Sequence, residues 1–240
     1  MQDRRNTKAL LASIVILILG LLVFVLYFFD FQNNEELENM NGEEIVLPKP
    51  KKRGTISVEE ALEDRRSRRS FSEKSLTLRQ VSQLLWAAQG ITDTGQMRTA
   101  PSAGATYPLE IYIAVKNVED LEPGVYHFNP DKNTLQKVLS GDKSTDLMTA
   151  SLGQEFVETA AMNLIVAAVY ERTTDRYGDR GERYVHMEVG HLGQNIYLQS
   201  ESLDLGTVAV GAFNDEDVAQ VLNLPENEKP LYIMPIGHTN

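Results

Sequence analysis

From Ala9 to Phe29 the chain reads ALLASIVILILGLLVFVLYFF, 21 residues without a charge. As a helix rising 1.5 Å per residue this run would be about 30 Å long, enough to cross the hydrocarbon core of a bilayer. A cleavable signal has a shorter apolar region followed by small residues, whereas Tyr27-Phe28-Phe29-Asp30-Phe31 follows here. Arg4, Arg5 and Lys8 precede the run, and Asp30, Glu35, Glu36 and Glu38 follow it. The positive-inside tendency then predicts a single-pass anchor, with the remainder of the chain outside the cytoplasm. The expected organisation is an anchor over 1–30, a linker over 31–54 and a folded domain over 55–240. The linker carries Asn33-Asn34, scattered glutamates and Pro48-Lys49-Pro50, none of it periodic.

A formal net charge of −11 argues against nucleic acid as a general partner. With no cysteine there is no disulfide, thiolate nucleophile or cysteine-ligated metal. His186 and His191 are five apart on one helical pattern, roughly 140° around the axis, so they do not form a metal pair.

Within 55–240, Ser57-Val58-Glu59-Glu60 and Thr77-Leu78-Arg79-Gln80 are capping boxes, each predicting a helix. The second helix places Leu78, Val81, Leu84, Leu85 and Ala88 on one face and ends at Gly90. A strand is expected from Glu110 to Lys116 and a hairpin from Gly124 to Leu139. There follow a helix over about Thr145–Ala160, a strand at Asn163–Val169 and a long helix over about Glu182–Leu203. A short helix from Asp215 and a closing strand at Leu231–Ile236 complete the pattern.

Between the two capped helices stands Arg65-Arg66-Ser67-Arg68-Arg69-Ser70-Phe71. Guanidinium forks and hydroxyls suit phosphate oxygens, so the run is a candidate for a phosphate ester, an RNA backbone or an anionic surface, or else a solvated face.

Downstream segments narrow those choices. Arg65, Ser67, Arg69 and Phe71 match the Arg-x-Ser-x-Arg/Lys-x-Phe run of the nitroreductase superfamily. Pro101, Ser102, Ala105 and Pro108 match the superfamily's Pro-Ser loop, and Gly206-Thr207-Val208-Ala209-Val210-Gly211-Ala212 resembles its third flavin element. The wording Leu84-Leu85-Trp86-Ala87-Ala88-Gln89-Gly90, Gly190-His191 and Gln194-Asn195 is similar to the SagB/ThcOx-type dehydrogenase branch.

The resemblance implies an α+β fold, a mixed sheet flanked by helices, and a homodimer with FMN at its interface. It also implies a cofactor site of Arg65, Arg66, Ser67, Arg69, Pro101, Ser102, Ala103, Ala105, Gln154, Val210, Gly211 and Ala212. Arg183 and Tyr184 stand where azoline oxidases of the branch carry a basic residue and a tyrosine, and are the candidate catalytic pair. Arginine does not lose its proton in proteins, so Arg183 departs from a lysine-like base. Many relatives continue past this chain's last residues with an arm around the partner, leaving the arginine run to carry more of the phosphate.

The function expected is that of a membrane-anchored FMN-dependent oxidoreductase acting on a small molecule or a modified peptide. Two alternatives are a membrane-tethered scaffold with a degenerate flavin site and a protein docked on lipid through its basic runs.

Overall fold

The computed structural model describes residues 44–95 and 97–240. Among them no helix is long and apolar enough to cross a membrane. This corrects the single-pass, extracytoplasmic localisation. The longest described helix, Arg180–Ser202, carries Arg180, Glu182, Arg183, Glu188 and Glu201 and has an amphipathic pattern. The Ala9–Phe29 run and the anchor assigned to it lie outside the described residues.

In chain order the elements are β1 (Glu44–Val46), α1 (Val58–Asp64), α2 (Leu78–Gln89), β2 (Leu109–Val115), β3 (Gly124–Asn129) and β4 (Thr134–Ser140). Then come α3 (Ser144–Ala150), α4 (Glu155–Thr159), β5 (Met162–Ala168), α5 (Glu171–Tyr177) and α6 (Arg180–Ser202). Last are β6 (Gly206–Thr207), α7 (Asp215–Leu222) and β7 (Lys229–Gly237). The strands form one seven-stranded sheet in the order β1-β4-β3-β2-β5-β7-β6. Every neighbouring pair is antiparallel, so the sheet is not the mixed one expected.

Alternation along the strands builds two cores. Leu109, Ile111, Ile113 and Val115 of β2 and Met162, Leu164 and Val166 of β5 face one way, onto α2 and α6. Tyr112 and Ala114 of β2 and Ile165 and Ala167 of β5 face the other, where α3 and α7 pack. The sheet is therefore covered on both faces, which explains why β2 and β5 read as continuous apolar runs.

Both capping boxes close as their residues dictate. Glu60 N–H donates to Ser57 Oγ at 3.1 Å and Ser57 N–H to Glu60 Oε2 at 2.7 Å. Thr77 and Gln80 repeat the exchange. Gly90 ends α2 with φ −64, outside the left-handed region. Glycine is required there because a Cβ would run into the Trp86 ring and carbonyl.

Three departures from the sequence reading matter for the site. The helix expected over Thr145–Ala160 is two helices. Leu152 and Gly153 adopt φ +59 and +74 between them, and Gln154 caps the second rather than riding a continuous helix. The helix α5 was not foreseen, since its residues ERTTDRY are almost all polar. Finally, part of the stretch expected to be a free tether is tied down. Glu44–Val46 pairs with β4, and Gln83 exchanges two hydrogen bonds with the Lys51 backbone.

Candidate functional site

The segment 65–71 leaves α1 extended and lies beside β6, with Ser67 bridged to Thr207 and Phe71 to Thr239. Alternation sorts its arginines. The Arg66 guanidinium donates to the carbonyls of Glu63 and Arg65, and Arg68 pairs with Glu201 at 3.3 Å. Arg66 is spent on closing the end of α1, and Arg68 on tying the segment to α6. The Arg65 guanidinium lies over the Tyr197 ring at 5.1 Å and that of Arg69 over Phe156 at 5.7 Å. Neither donates a side-chain hydrogen bond among the described residues, so both forks are available to an anion. Arg66, expected beside them, does not join this pair.

Tyr197 organises the hydroxyls. Its Oη accepts from Ala209 N–H at 2.8 Å and lies 3.0 Å from Ser67 Oγ. One residue on, Val210 exchanges both backbone bonds with Ile233 and buries its side chain. Gly211 and Ala212, exposed just beyond, have backbone N–H groups with no backbone partner among the described residues. A Cβ on Gly211 would touch only the Tyr232 ring, at 3.7 Å, leaving its outer side open. Gln154 Nε2 donates to Ala212 O at 2.9 Å and Ser151 O at 2.8 Å, bracing that turn from α4. Arg65, Ser67, Arg69, Gln154, Gly211 and Ala212 thus gather at one place, near the C-terminal end of α6. Val210 serves there through its backbone position alone.

The Pro101–Ala105 loop sits elsewhere. Arg172 and Arg176 of α5 donate to the carbonyls of Tyr107 and Gly104, and Thr106 Oγ1 lies 2.8 Å from Thr173 Oγ1. Gly104 and Ala105 have φ +61 and +53, and a Cβ on Gly104 would stand 2.5 Å from Tyr177 Oη. Pro101 and Ala105 are exposed, Ala103 is half-buried, and Ser102 Oγ accepts from Tyr107 N–H at 2.9 Å.

Tyr184 belongs to this second group. Arg180 Nε donates to its Oη at 3.0 Å, and the Tyr177 ring meets it edge-on at 5.2 Å. Arg183 beside it is exposed and forms no ion pair among the described residues. Tyr184 and Tyr197 are 13 residues apart on α6, about 20 Å along its axis. The arginine group and Tyr184 thus lie toward opposite ends of the longest described helix.

Sequence reasoning missed several contributors. Tyr197, which joins Ser67 to the Ala209 turn, carries no motif. Glu188 left a signal: it falls among Val185, Val189 and Leu192 on the apolar face of α6, where a carboxylate is out of place. His186, excluded as a metal ligand, lies 2.6 Å from Tyr170 Oη through Nε2.

The donor set fits a flavin mononucleotide: two unspent guanidinium forks and a hydroxyl for the phosphate, and free amides beside a glycine for the ring edge. The nitroreductase family model matches residues 62–238. A Methanocaldococcus jannaschii protein named as a nitroreductase is 50% identical over 182 residues, 76% of this chain and 91% of the relative. A solved structure from Anabaena variabilis, described as a nitroreductase, superposes with a TM-score of 0.73 at 29% identity. It covers 84% of this chain, which spans 43% of that protein. The Escherichia coli microcin synthetase McbBCD complex with truncated pro-MccB17 bound aligns with a TM-score of 0.64 at 26% identity, covering 85% of this chain and 81% of that one.

Proposed function

The chain belongs to the nitroreductase family, and on that premise we propose that it is an FMN-dependent oxidoreductase of small electron-poor acceptors, its flavin held between two copies. The observation that carries the reading is the split of the donors. The anion-ready arginines with the open Gly211 turn gather by Tyr197 toward one end of α6, Tyr184 stands about 20 Å along the axis toward the other, and the Pro-Ser loop is held by Arg172 and Arg176 of α5. A second copy related by a two-fold axis brings the loop of one to the arginines of the other, twice.

FMN, when bound, supplies two-electron transfer. Arg65 and Arg69 grip the phosphate, and Ser67, oriented by Tyr197, adds a neutral hydroxyl. The free N–H groups of Gly211 and Ala212 would hold the polar edge of the ring, and Gln154 keeps their turn from shifting. Pro101, Ser102, Ala103 and Ala105 of the other copy close the ring's remaining side and exclude water. Tyr184 keeps its own hydrogen for a substrate, because Arg180 occupies the oxygen as a donor. Arg183 stays cationic and attracts an anionic substrate rather than acting as a base.

A modified peptide is the second reading. It is favoured by the likeness to the McbBCD complex with its bound pro-peptide and by the Arg183–Tyr184 pair. The protein purified in its full length should show a flavin absorbance band and one FMN per chain, and sediment as two copies. A colourless protein that takes up no added FMN would end the proposal. Turnover with a nitroaromatic or quinone, against dehydrogenation of an azoline-bearing peptide, separates the two substrate classes.

A further inference from the structure

Lys51, Lys52, Arg53, Arg79 and Arg98 come together around one cavity of about 700 Å³, walled by the 51–58 segment, α2 and the C-terminal half of α6. That volume is in the range of small-molecule sites. The flavin donors Arg65, Ser67, Arg69, Gln154 and Gly211 lie outside its lining. No described aspartate or glutamate lines it either, in a chain where 34 acidic residues outnumber 23 lysines and arginines. Lys51, Lys52, Arg53 and Arg79 are exposed and enter no ion pair among the described residues. Like charges gathered in this way focus a positive potential on the cavity. Its walls are fixed from within by two side-chain amides. Gln83 is 7% exposed; its Oε1 accepts from Lys51 N–H at 2.8 Å, and its Nε2 donates to Lys51 O and to Gln199 Oε1, each at 3.0 Å. One buried amide thus joins the 51–58 segment, α2 and α6. Asn195 Nδ2 adds the loop after α2, donating to Ala87 O at 3.1 Å and Thr99 O at 3.3 Å.

We propose that this cavity is a second ligand site, separate from the flavin site, for an organic anion that joins a planar apolar body to a carboxylate, sulfonate or phosphate. The body packs on half-buried Trp86 and on Leu198, which share the lining. The anionic group stays where the cavity opens, among the exposed cations, and takes hydrogen bonds from the Arg53 and Arg79 forks. Arg98 adds charge rather than a free fork, because it donates to Gln89 Oε1 at 3.0 Å and stacks over Tyr107 at 4.3 Å. A neutral ligand of the same shape forgoes the cations, and a bare inorganic anion forgoes the apolar wall. Trp86 is the only tryptophan of the chain, so the site carries its own reporter.

The test titrates the full-length protein, as purified, with anilinonaphthalene sulfonate, exciting Trp86 and reading the emission transferred to bound dye. Phenylnaphthylamine, the same ring system without the sulfonate, is the neutral comparison. The sulfonate dye should saturate at one per chain and bind about tenfold more tightly than the neutral one. Arg53→Glu and Arg79→Glu should each weaken the sulfonate dye about tenfold and leave the neutral dye within about twofold. Both side chains are exposed, and R79E puts an acid in the first turn of α2, where the helix N-terminus favours it, so neither variant threatens the fold. Lys74→Glu makes the same change of net charge on an exposed residue outside the cavity, and should leave both dyes within about twofold. Equal affinity for the two dyes would reduce the cavity to an apolar groove and overturn the proposal. So would K74E matching R53E, which would trace the effect to overall charge. Absence of transfer from Trp86 also overturns it, since the cavity is then closed to small molecules, whether by a second copy or by another part of the chain.

Discussion

Replacing Glu188 by glutamine should stabilise the fold at high pH and do so far less at low pH. The carboxyl is raised from its ordinary 4.5 to about 7 by burial. Above pH 7 the native state must hold a buried charge that the unfolded chain exposes to water. A carboxyl whose folded value lies above its unfolded one binds more protons in the native state. Its contribution to stability therefore falls as pH rises from about 4.5 to about 7 and is flat beyond. The full linkage is about 3 kcal/mol, of which about 2 kcal/mol falls between pH 5.5 and pH 8. Glutamine has nearly the same shape and no charge, so urea unfolding of variant and wild type at those two pH values isolates the effect. The difference between them should grow by about 2 kcal/mol in favour of E188Q at pH 8. The lower pH is kept above the sequence pI of 4.9 to avoid precipitation. An unchanged difference at the two pH values would refute the burial argument, since every other titrating group cancels in it.

Three more outcomes follow from the site. Arg65→Ala and Arg69→Ala should each weaken FMN about tenfold by fluorescence titration, while Arg66→Ala leaves the affinity within about twofold, because its guanidinium ends on backbone carbonyls. Gly211→Val should lose FMN and keep its unfolding midpoint, since only the Tyr232 ring stands near the added carbon; full flavin content in the variant would place that turn away from the ring. Gly104→Ala combines a left-handed φ of +61 with a contact on Tyr177 Oη and Arg176. It should cost about 1–2 kcal/mol of stability in urea unfolding and loosen the loop from α5.

Elements with local signals were legible. The capping boxes wrote the starts of α1 and α2 into four residues each, and the apolar runs of β2 and β5 already announced strands covered on both faces. What could not be read depends on partners distant in sequence. Arg65 and Arg66 look alike in the chain and differ only because the extended segment turns alternate residues to different neighbours. The break at Leu152 and Gly153 was hidden because Ser144–Thr159 has helix formers on both sides of it. The helix α5 has no apolar stripe, and its arginines hold the loop through carbonyls that carry no sequence signature. Tyr197 was one aromatic among several at helical spacing until the Ala209 turn came back beside it. The apolar N-terminal run led to a localisation that the described helices do not support.

The separation of the arginine group from Tyr184 along α6 has a genetic consequence under the two-copy reading. If each complete site borrows its loop from a second copy, a chain damaged only at Arg65 and Arg69 and a chain damaged only at Gly104 are not equally defective: they are complementary. Either alone fills no site. Mixed in equal amounts and allowed to exchange, half of the pairs become hybrids. In each hybrid one site collects both lesions and the other collects neither, so about a quarter of all sites recover. Two inactive alleles expressed together would then sustain a phenotype that neither supports alone, and a lesion at one end of the helix would be masked by any partner intact at that same end.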